Sequence, residues 1–212
     1  MTCLHLPSEP ATCRYFDPDS YSDYQAVLQM LVSESVNRWM EEVGDITWEE
    51  YQHWARVEDK VSYLFAITDP DQVVGFVYYY CKADELERIN RLLARHPLKD
   101  SPPDSNYLEI SFAKTNAPTP SGLISSAVRQ TCLQLRNLYH TQFHQPLTIL
   151  AFIDPQNQPA RRLVENCGFE IIDSIKYNPQ DSQDDLVYQL IWLKLEQIVN
   201  NRSAGHQPIN QF

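Results

Sequence analysis

The stretch IDPQNQPARRLVENCGFEIID, residues 153–173, decides how the second half of this chain folds. It starts at the end of an apolar run, passes through a polar turn and enters a short helix that opens near Asn157. Glycine commonly ends a helix in a left-handed conformation, so Gly168 predicts the helix end and lets Phe169 turn back into the core. Strand, turn, helix and strand are therefore expected, and Asn157 is explained either by helix capping alone or by an additional role.

The segments around this stretch continue an α/β pattern. The run PLTILAFI before it is too apolar for an edge strand and belongs in the interior of a sheet. Upstream, NYLEISFAKT predicts a strand and LISSAVRQTCLQLRNLYH a helix with one broad apolar face. Downstream, DLVYQLIWLKL, residues 185–195, predicts a last strand.

The first half predicts two helices and a hairpin after a short strand, CRYF. The segment YSDYQAVLQMLVSESVNRWM, residues 21–40, carries apolar residues at helical spacing. Its expected buried face consists of Val27, Leu28, Leu31, Val32 and Val36. In DITWEEYQHWARV, Thr47 and Glu50 have the spacing of a capping box, which predicts a second helix. The turn TDPDQ joins SYLFAI to VVGFVYYYC and predicts a β-hairpin.

Two further segments are expected to lie outside the core. A polar helix followed by the proline-rich PLKDSPPDS reads as a surface insertion at about residues 84–105. The polar end of the chain, residues 200–212, reads as a flexible tail. Residues 1–199 then form a single domain, which suits a chain of 212 residues.

Composition limits the classes of function. The formal net charge of −11 and scattered basic residues argue against nucleic acid and anionic membranes as partners. The charge favours a cationic or neutral partner, or serves solubility alone. Five widely spaced cysteines without a Cys-x-x-Cys pair predict reduced thiols and no structural metal. With no apolar run of membrane-spanning length and no secretory signal, a cytoplasmic protein is expected.

The residues of the opening stretch resemble the GNAT superfamily of N-acetyltransferases. That family places an Asn-x-x-Ser/Ala after its fifth strand and a Gly-Phe pair eleven and twelve positions beyond the Asn, as Asn157, Ala160, Gly168 and Phe169 are placed here. EISF at residues 109–112 resembles the family's Glu-Ile-Gly-Tyr strand, and GLISSAVR at 122–129 resembles the start of its cofactor-binding helix. The nearest branch acetylates ribosomal-protein N-termini, and the resemblance covers roughly residues 14–195.

The resemblance implies a single-domain fold with a twisted, mostly antiparallel sheet. Helices flank this sheet, which opens between two parallel strands at about residues 107–115 and 147–153. Acetyl-coenzyme A would bind in the opening, and its acetyl group would pass to a primary amine by direct attack. The acceptor would be a small-molecule amine or a protein's N-terminus or lysine, and the protein a monomer or homodimer.

Cofactor-binding residues follow from the resemblance and from the chemistry of helix ends. Unpaired amides at a helix N-terminus suit a pyrophosphate. Two groups of residues would therefore hold the cofactor. The first group, with Asn157, would bind the pantetheine arm, and the second would bind the pyrophosphate. The first group is Ala113, Lys114 and Thr115; the second is Ser121, Gly122, Leu123 and Ile124.

A catalytic base is also expected. An amine with a pKa of about 10.4 must lose a proton at pH 7, which costs about 4.6 kcal/mol. Glu109 is the candidate, because the family often places a carboxylate there and a base must lie within hydrogen-bond reach or one water away. A purely structural carboxylate is the alternative.

Substrate recognition is predicted between the first two helices, where the family places its acceptor wall. Acidic and aromatic side chains suit an ammonium group, and Glu41, Glu42, Asp45 and Trp48 supply them. The alternative is a solvated helix end in which these residues serve capping and solubility.

Two departures from the family pattern support a second hypothesis, a catalytically silent ligand-sensing or protein-binding module. The phosphate loop, Gln/Arg-x-x-Gly-x-Gly/Ala in the family, keeps only its central glycine in TPSGLI, residues 119–124. Pro120 has no amide to donate, and Ile124 adds bulk. Ala160 and Val164 stand where the family has a proton donor, so the general acid is unassigned.

Overall fold

The computed structural model describes residues 12–39, 45–56, 62–69, 72–80, 106–116, 118–144, 146–176 and 183–204. Seven strands form one sheet: β1 (Thr12–Tyr15), β2 (Ser62–Asp69), β3 (Gln72–Tyr80), β4 (Asn106–Lys114), β5 (Leu147–Ile153), β6 (Phe169–Ile175) and β7 (Asp185–Leu190). The described residues also form six α-helices: α1 (Tyr21–Leu31), α2 (Glu34–Asn37), α3 (Trp48–Ala55), α4 (Leu123–Leu138), α5 (Gln158–Asn166) and α6 (Trp192–Ala204).

The sheet has the order β1-β2-β3-β4-β5-β7-β6. The central pair, β4 and β5, is parallel, and the other pairs are antiparallel. The mixed sheet with one parallel pair confirms the predicted fold class. The hairpin of β2 and β3 and the interior position of β5 are confirmed as well.

Hydrophobic cores lie on both faces of the sheet. On one face, α4 buries Ala127, Val128 and Leu135 against residues of β4, β5 and β7. On the other face, α1 and α3 bury Val27, Leu31 and Tyr51 against residues of β3 and β4. Side chains alternate between faces along a strand, so these two clusters assign each strand residue to a face.

The predicted capping box of α3 is present. The Thr47 hydroxyl accepts a hydrogen bond from the Glu50 amide at 3.2 Å, and the Glu50 carboxylate accepts one from the Thr47 amide at 2.7 Å. This reciprocal pairing satisfies amides that the first turn leaves free. The sequence spacing alone was enough to place the start of this helix.

The predicted helix over residues 21–40 is wrong in its length, because the helix ends at its C-cap residue Val32 and a second, short helix follows. Ser33 donates its hydroxyl to the Met30 carbonyl at 2.7 Å and then stands as the N-cap position of the short α2. Serine competes with the backbone for such bonds and favours helix ends. Val32, predicted to be buried, is therefore 49% exposed, whereas Met30 is buried.

The predicted last strand over residues 185–195 is also too long. β7 ends at Leu190, and α6 begins at Trp192 and continues to Ala204, past the expected start of the tail at residue 200. The Ile191 amide bonds the Gly168 carbonyl at 3.1 Å, and Trp192 donates its indole N–H to the Leu147 carbonyl at 3.0 Å. The expected insertion, about residues 84–105, lies outside the described residues, as does the tail beyond Ala204.

None of the helices in the described part of the chain is long and apolar enough to cross a membrane.

Candidate active site

A cleft opens in the middle of the sheet where the parallel pair separates. β4 and β5 pair from Asn106 opposite Leu147 to Glu109 opposite Leu150. Beyond this point β4 continues beside β3 as far as Lys114, and β5 continues beside β7 as far as Ile153. The predicted opening between these strands is confirmed, and it contains a cavity of about 330 Å³.

The cavity passes through the sheet from one face to the other. By strand alternation and core membership, one group of lining residues faces α4 and α5: Ile110, Phe112, Lys114, Ala151 and Ile153, together with Ile124, Ala160 and Leu163 of those helices. A second group lies on the opposite face: Ser111, Ala113 and Phe152, with Ser35, Val36 and Trp39. A cavity of this form can receive one ligand from each side.

The edge of β4 presents backbone groups to the cavity. The Thr115 amide bonds the Val74 carbonyl at 2.8 Å, so odd-numbered residues at this end of β4 direct their backbone groups toward β3. The Ala113 carbonyl oxygen agrees, lying 2.7 Å from the position that a Cβ on Gly75 would take. Backbone groups of Phe112 and Lys114 therefore point into the cleft, where an extended arm can bond them.

The N-terminus of α4 lies near the same cleft. Gly122 is the N-cap residue with φ of 83°, and no atom of the described residues lies within 4 Å of the position that its Cβ would take. The Leu123 amide donates to the Pro120 carbonyl, and the Ser126 amide donates to the Gly122 carbonyl. Helix geometry therefore leaves the amides of Ile124 and Ser125 without an intrahelical partner. Two amides and the helix dipole thus face an end that no described residue covers at Gly122, which suits a phosphate.

The bulk of Ile124 does not obstruct this end. Its side chain is buried and forms part of the core and cavity wall, and its Cδ1 lies 3.3 Å from where a Cβ on Gly75 would be. Leu123 is buried in the core as well. The departure from the family loop at Ile124 therefore adds bulk to the core rather than to the phosphate end, although Pro120 still lacks an amide.

Asn157 both caps a helix and lines the cavity, and these are the two roles that its sequence context left open. It is the N-cap residue of α5, and its Oδ1 accepts the Ala160 amide at 3.2 Å. Asn157 also lines the cavity, with Ala160 and Leu163 one turn or more along the same helix. Capping occupies the carboxamide oxygen, whereas the Nδ2 donor has no partner among the described residues and suits a ligand.

The far end of α5 also follows the sequence prediction. Gly168 adopts φ of 95°, and a Cβ there would lie 3.0 Å from the Leu195 amide nitrogen. Phe169 follows directly and is buried. This left-handed turn returns the chain into β6 and fixes the helix against the sheet.

Glu109 is buried at the point where β4 and β5 separate, and is 6% exposed. Strand alternation places its side chain on the face of Ser111 and Ala113, which line the second side of the cavity. Glu109 itself is not among the lining residues, so a reacting amine would meet it through a water or after a small movement. The role of Glu109 as a base stays a prediction.

Of the residues predicted for the acceptor wall, Asp45 and Trp48 lie among the described residues. Trp48 stacks on Tyr51 with ring centroids 5.5 Å apart and also contacts Tyr24, and it does not line the cavity. Glu41 and Glu42 lie outside the described residues. Of the predicted cofactor residues, Ala113, Lys114, Ile124 and Asn157 line the cavity, whereas Thr115, Ser121, Gly122 and Leu123 do not.

A buried tyrosine near α5 does not supply the missing acid. Tyr188 donates to Glu165 at 3.0 Å and accepts from Arg161 at 3.2 Å. Burial raises the pKa of Tyr188. These partners lie on α5 residues that do not line the cavity, so the network fixes the helix to β7 instead.

Sequence reasoning missed the lining residues of α2 and β5. The cavity is lined by Ser35, Val36 and Trp39, which follow the helix end at Val32. Phe152 also lines it, where β5 diverges from β4. The serine pair at positions 33 and 35 was a signal for this helix end. No signal in the sequence joined Trp39 to Phe152.

Comparisons with known proteins agree with this geometry. A model of the acetyltransferase (GNAT) domain family matches residues 14–170. An uncharacterised protein from Bacillus halodurans has a similar structure, with a TM-score of 0.63, 14% identity, and coverage of 93% of this chain and 92% of that one. No curated protein sequence matches.

Two similar structures carry named activities. AAC(6')-Ib in complex with paromomycin and acetyl-CoA has a TM-score of 0.62 and 15% identity over 89% of this chain and 97% of its own. RimL, a ribosomal L7/L12 alpha-N-protein acetyltransferase in complex with coenzyme A, has a TM-score of 0.61 and 12% identity over 87% and 95%. At such identities these likenesses show the fold, and the family match, which covers most of the chain, shows that the protein belongs to the GNAT acetyltransferase family.

Proposed function

We propose that the protein transfers an acetyl group from acetyl-coenzyme A to a primary amine by direct attack. The observation that carries the proposal is the cavity between β4 and β5, where an unpaired strand edge and the N-terminus of α4 meet. Two similar structures hold acetyl-CoA or coenzyme A, which supports this choice of cofactor. The acceptor is a small-molecule amine or a protein's N-terminus or lysine.

The chain's own residues fit this cofactor. Backbone groups of Phe112 and Lys114 would bond the pantetheine arm from β4, and the Asn157 Nδ2 would bond it from α5. The amides of Ile124 and Ser125, beside Gly122, would hold the pyrophosphate. When bound, acetyl-coenzyme A would supply the acetyl group as a thioester.

Glu109 would prepare the amine. Its carboxylate would accept the ammonium proton through a water on the Ser111 side of the cavity, which offsets the cost of about 4.6 kcal/mol for deprotonating a lysine-like amine at pH 7. No described residue of α5 that lines the cavity can donate a proton to the departing thiolate. A thiol pKa of about 8.5 allows the thiolate to leave unprotonated or with a proton from water.

The first test is calorimetric titration with acetyl-coenzyme A. We expect micromolar binding, which corresponds to about −8 kcal/mol. Ala160→Trp should abolish it, because Ala160 lines the cavity and an indole there would fill the space for the arm. Asn166→Trp is the matched control, because Asn166 is an exposed residue of the same helix. Undetectable binding by the wild-type protein would contradict the proposal.

The second candidate function is a silent module that binds a ligand or protein without turnover. The absence of a proton donor among the cavity-lining residues of α5, here Pro159, Ala160 and Leu163 together with the Asn157 cap, favours it. Amine-dependent release of free thiol decides between the two functions. Binding of acetyl-coenzyme A with no thiol release for any amine, at pH values from 6 to 10, would favour the module.

A further inference from the structure

The side of the cavity away from α4 and α5 indicates what the acceptor amine is attached to, if the proposed function holds. Trp39 and Val36 of the α2 segment, Phe152 of β5 and Ser111 of β4 all line this side. The wall is thus mainly aromatic and aliphatic. Covering such apolar surface with an apolar group of the acceptor removes both from water and stabilises the complex.

The charges of the described residues on this side disfavour a second positive group on the acceptor. The Arg38 guanidinium lies over the Trp39 ring, 4.7 Å from its centroid, and adds a positive charge there. Among the described cavity-lining residues the one carboxylate is Asp154, and its Oδ1 already accepts the Gln156 amide at 2.6 Å and the Gln183 side-chain amide at 2.9 Å. A polycationic acceptor would find little compensation among these residues.

The position of this wall is fixed by hydrogen bonds. Ser35 donates its hydroxyl to the Asn116 Oδ1 at 2.7 Å, joining α2 to the segment that follows β4. Val36, between Ser35 and the Trp39 turn, is buried in the core. These contacts support a wall segment that is preformed before an acceptor arrives, as specificity requires.

From these contacts we propose that the acceptor is a primary amine attached to an uncharged apolar or aromatic group, with Trp39 as the specificity-determining residue. The class covers a peptide N-terminus with an apolar first residue and a free arylalkylamine. Trp39 would position this group beside Ser111, which aligns the amine with the cavity. The inference rests on the proposed acetyl transfer and names the acceptor for the same site.

The test compares matched acceptors with saturating acetyl-coenzyme A. Thiol release is followed with Phe-Ala-Ala amide and Arg-Ala-Ala amide, each of which has one primary amine, and with phenethylamine as the free amine. We expect kcat/KM to be at least about 10-fold higher for the phenylalanine peptide, the size of preference that an apolar pocket gives. Turnover of phenethylamine but not of the peptides would assign the small-molecule source.

Variants separate a specificity role from a structural one. Trp39→Ala should reduce the preference below about 3-fold through a higher KM for the phenylalanine peptide, with kcat nearly unchanged, because only uniform binding is lost. Trp39→Phe should keep the preference, and Val32→Ala, at a nearby exposed position, is the control. An equal or reversed preference in the wild-type protein, or an unchanged preference in Trp39→Ala, overturns this inference alone. Bound acetyl-coenzyme A without thiol release for any amine overturns the proposed function and this inference with it.

Discussion

At the scale of single residues, Glu109 tests whether the cleft is a catalytic site. A neutral amide cannot accept the amine's proton, so Glu109→Gln should lower kcat by about 100-fold or more. The calorimetric Kd for acetyl-coenzyme A should not change, because Glu109 does not line the cavity. Glu49→Gln, the same change at an exposed position of α3, is the control. Equal rates for wild type and Glu109→Gln would leave Glu109 as a structural carboxylate.

The two roles of Asn157 are separable by substitution. Serine also caps helices, so Asn157→Ser should leave the free energy of unfolding within about 0.5 kcal/mol, whereas Asn157→Ala should lower it by about 1 kcal/mol. Both variants lack the Nδ2 donor and should bind acetyl-coenzyme A about 3- to 10-fold more weakly, the size of one lost hydrogen bond. Urea unfolding and calorimetry measure the two effects. If Asn157→Ser bound acetyl-coenzyme A with the wild-type Kd, Asn157 would act only as a helix cap.

At the scale of elements, the end of α5 depends on a glycine for two reasons. Gly168→Ala places a Cβ in left-handed backbone and 3.0 Å from the Leu195 backbone, so it should cost about 2 kcal/mol or more in the free energy of unfolding. Gly122→Ala has the backbone strain without the contact and should cost about 1 kcal/mol. Urea denaturation compares them. Equal costs would show that the contact with α6 does not matter.

Elements were predictable where a local device defines their ends. Thr47 with Glu50 fixes the start of α3, and Gly168 fixes the end of α5. The end of β7, which was predicted too late, depends on distant partners: the Gly168 and Leu147 carbonyls accept hydrogen bonds from Ile191 and Trp192, where the chain turns from strand to helix. An apolar run by itself fits either structure.

At the scale of the whole molecule, the order of elements and the residues of the resemblance predicted the sheet and its cleft. Local motifs singled out Ile124 and Asn157, which line the cavity on the α4 and α5 side. The residues of the opposite side were not predicted, because Trp39, Ser111 and Phe152 are distant in the sequence and line one cavity only in the folded chain. Predicting which acceptor fits therefore required the tertiary structure.

An ion pair joins the edge strand to the helical layer, and we expect its contribution to stability to depend on pH. Arg14 of β1 bonds Asp23 of α1 through two nitrogens, at 2.6 and 2.8 Å. Burial alone would raise the pKa of Asp23, but the bonds from Arg14 and from the Asp17 amide outweigh it and hold that pKa below its usual value. A carboxylate with a lowered folded pKa contributes its stability above the unfolded pKa of about 3.9.

The consequence is a loss of stability in acid that Asp23→Asn should largely remove. At pH 7 the variant should lose about 2 kcal/mol of unfolding free energy, the size of a hydrogen bond to a charged group, and less where solvent screens the half-exposed Arg14. As pH falls below about 4, Asp23 is protonated in the unfolded chain and the wild-type advantage should shrink toward zero. Urea unfolding from pH 7 to pH 2.5 measures both curves, with the exposed Asp184→Asn as a control that should parallel wild type. A constant difference between wild type and Asp23→Asn across this range would show that packing, and not the ion pair, joins β1 to α1.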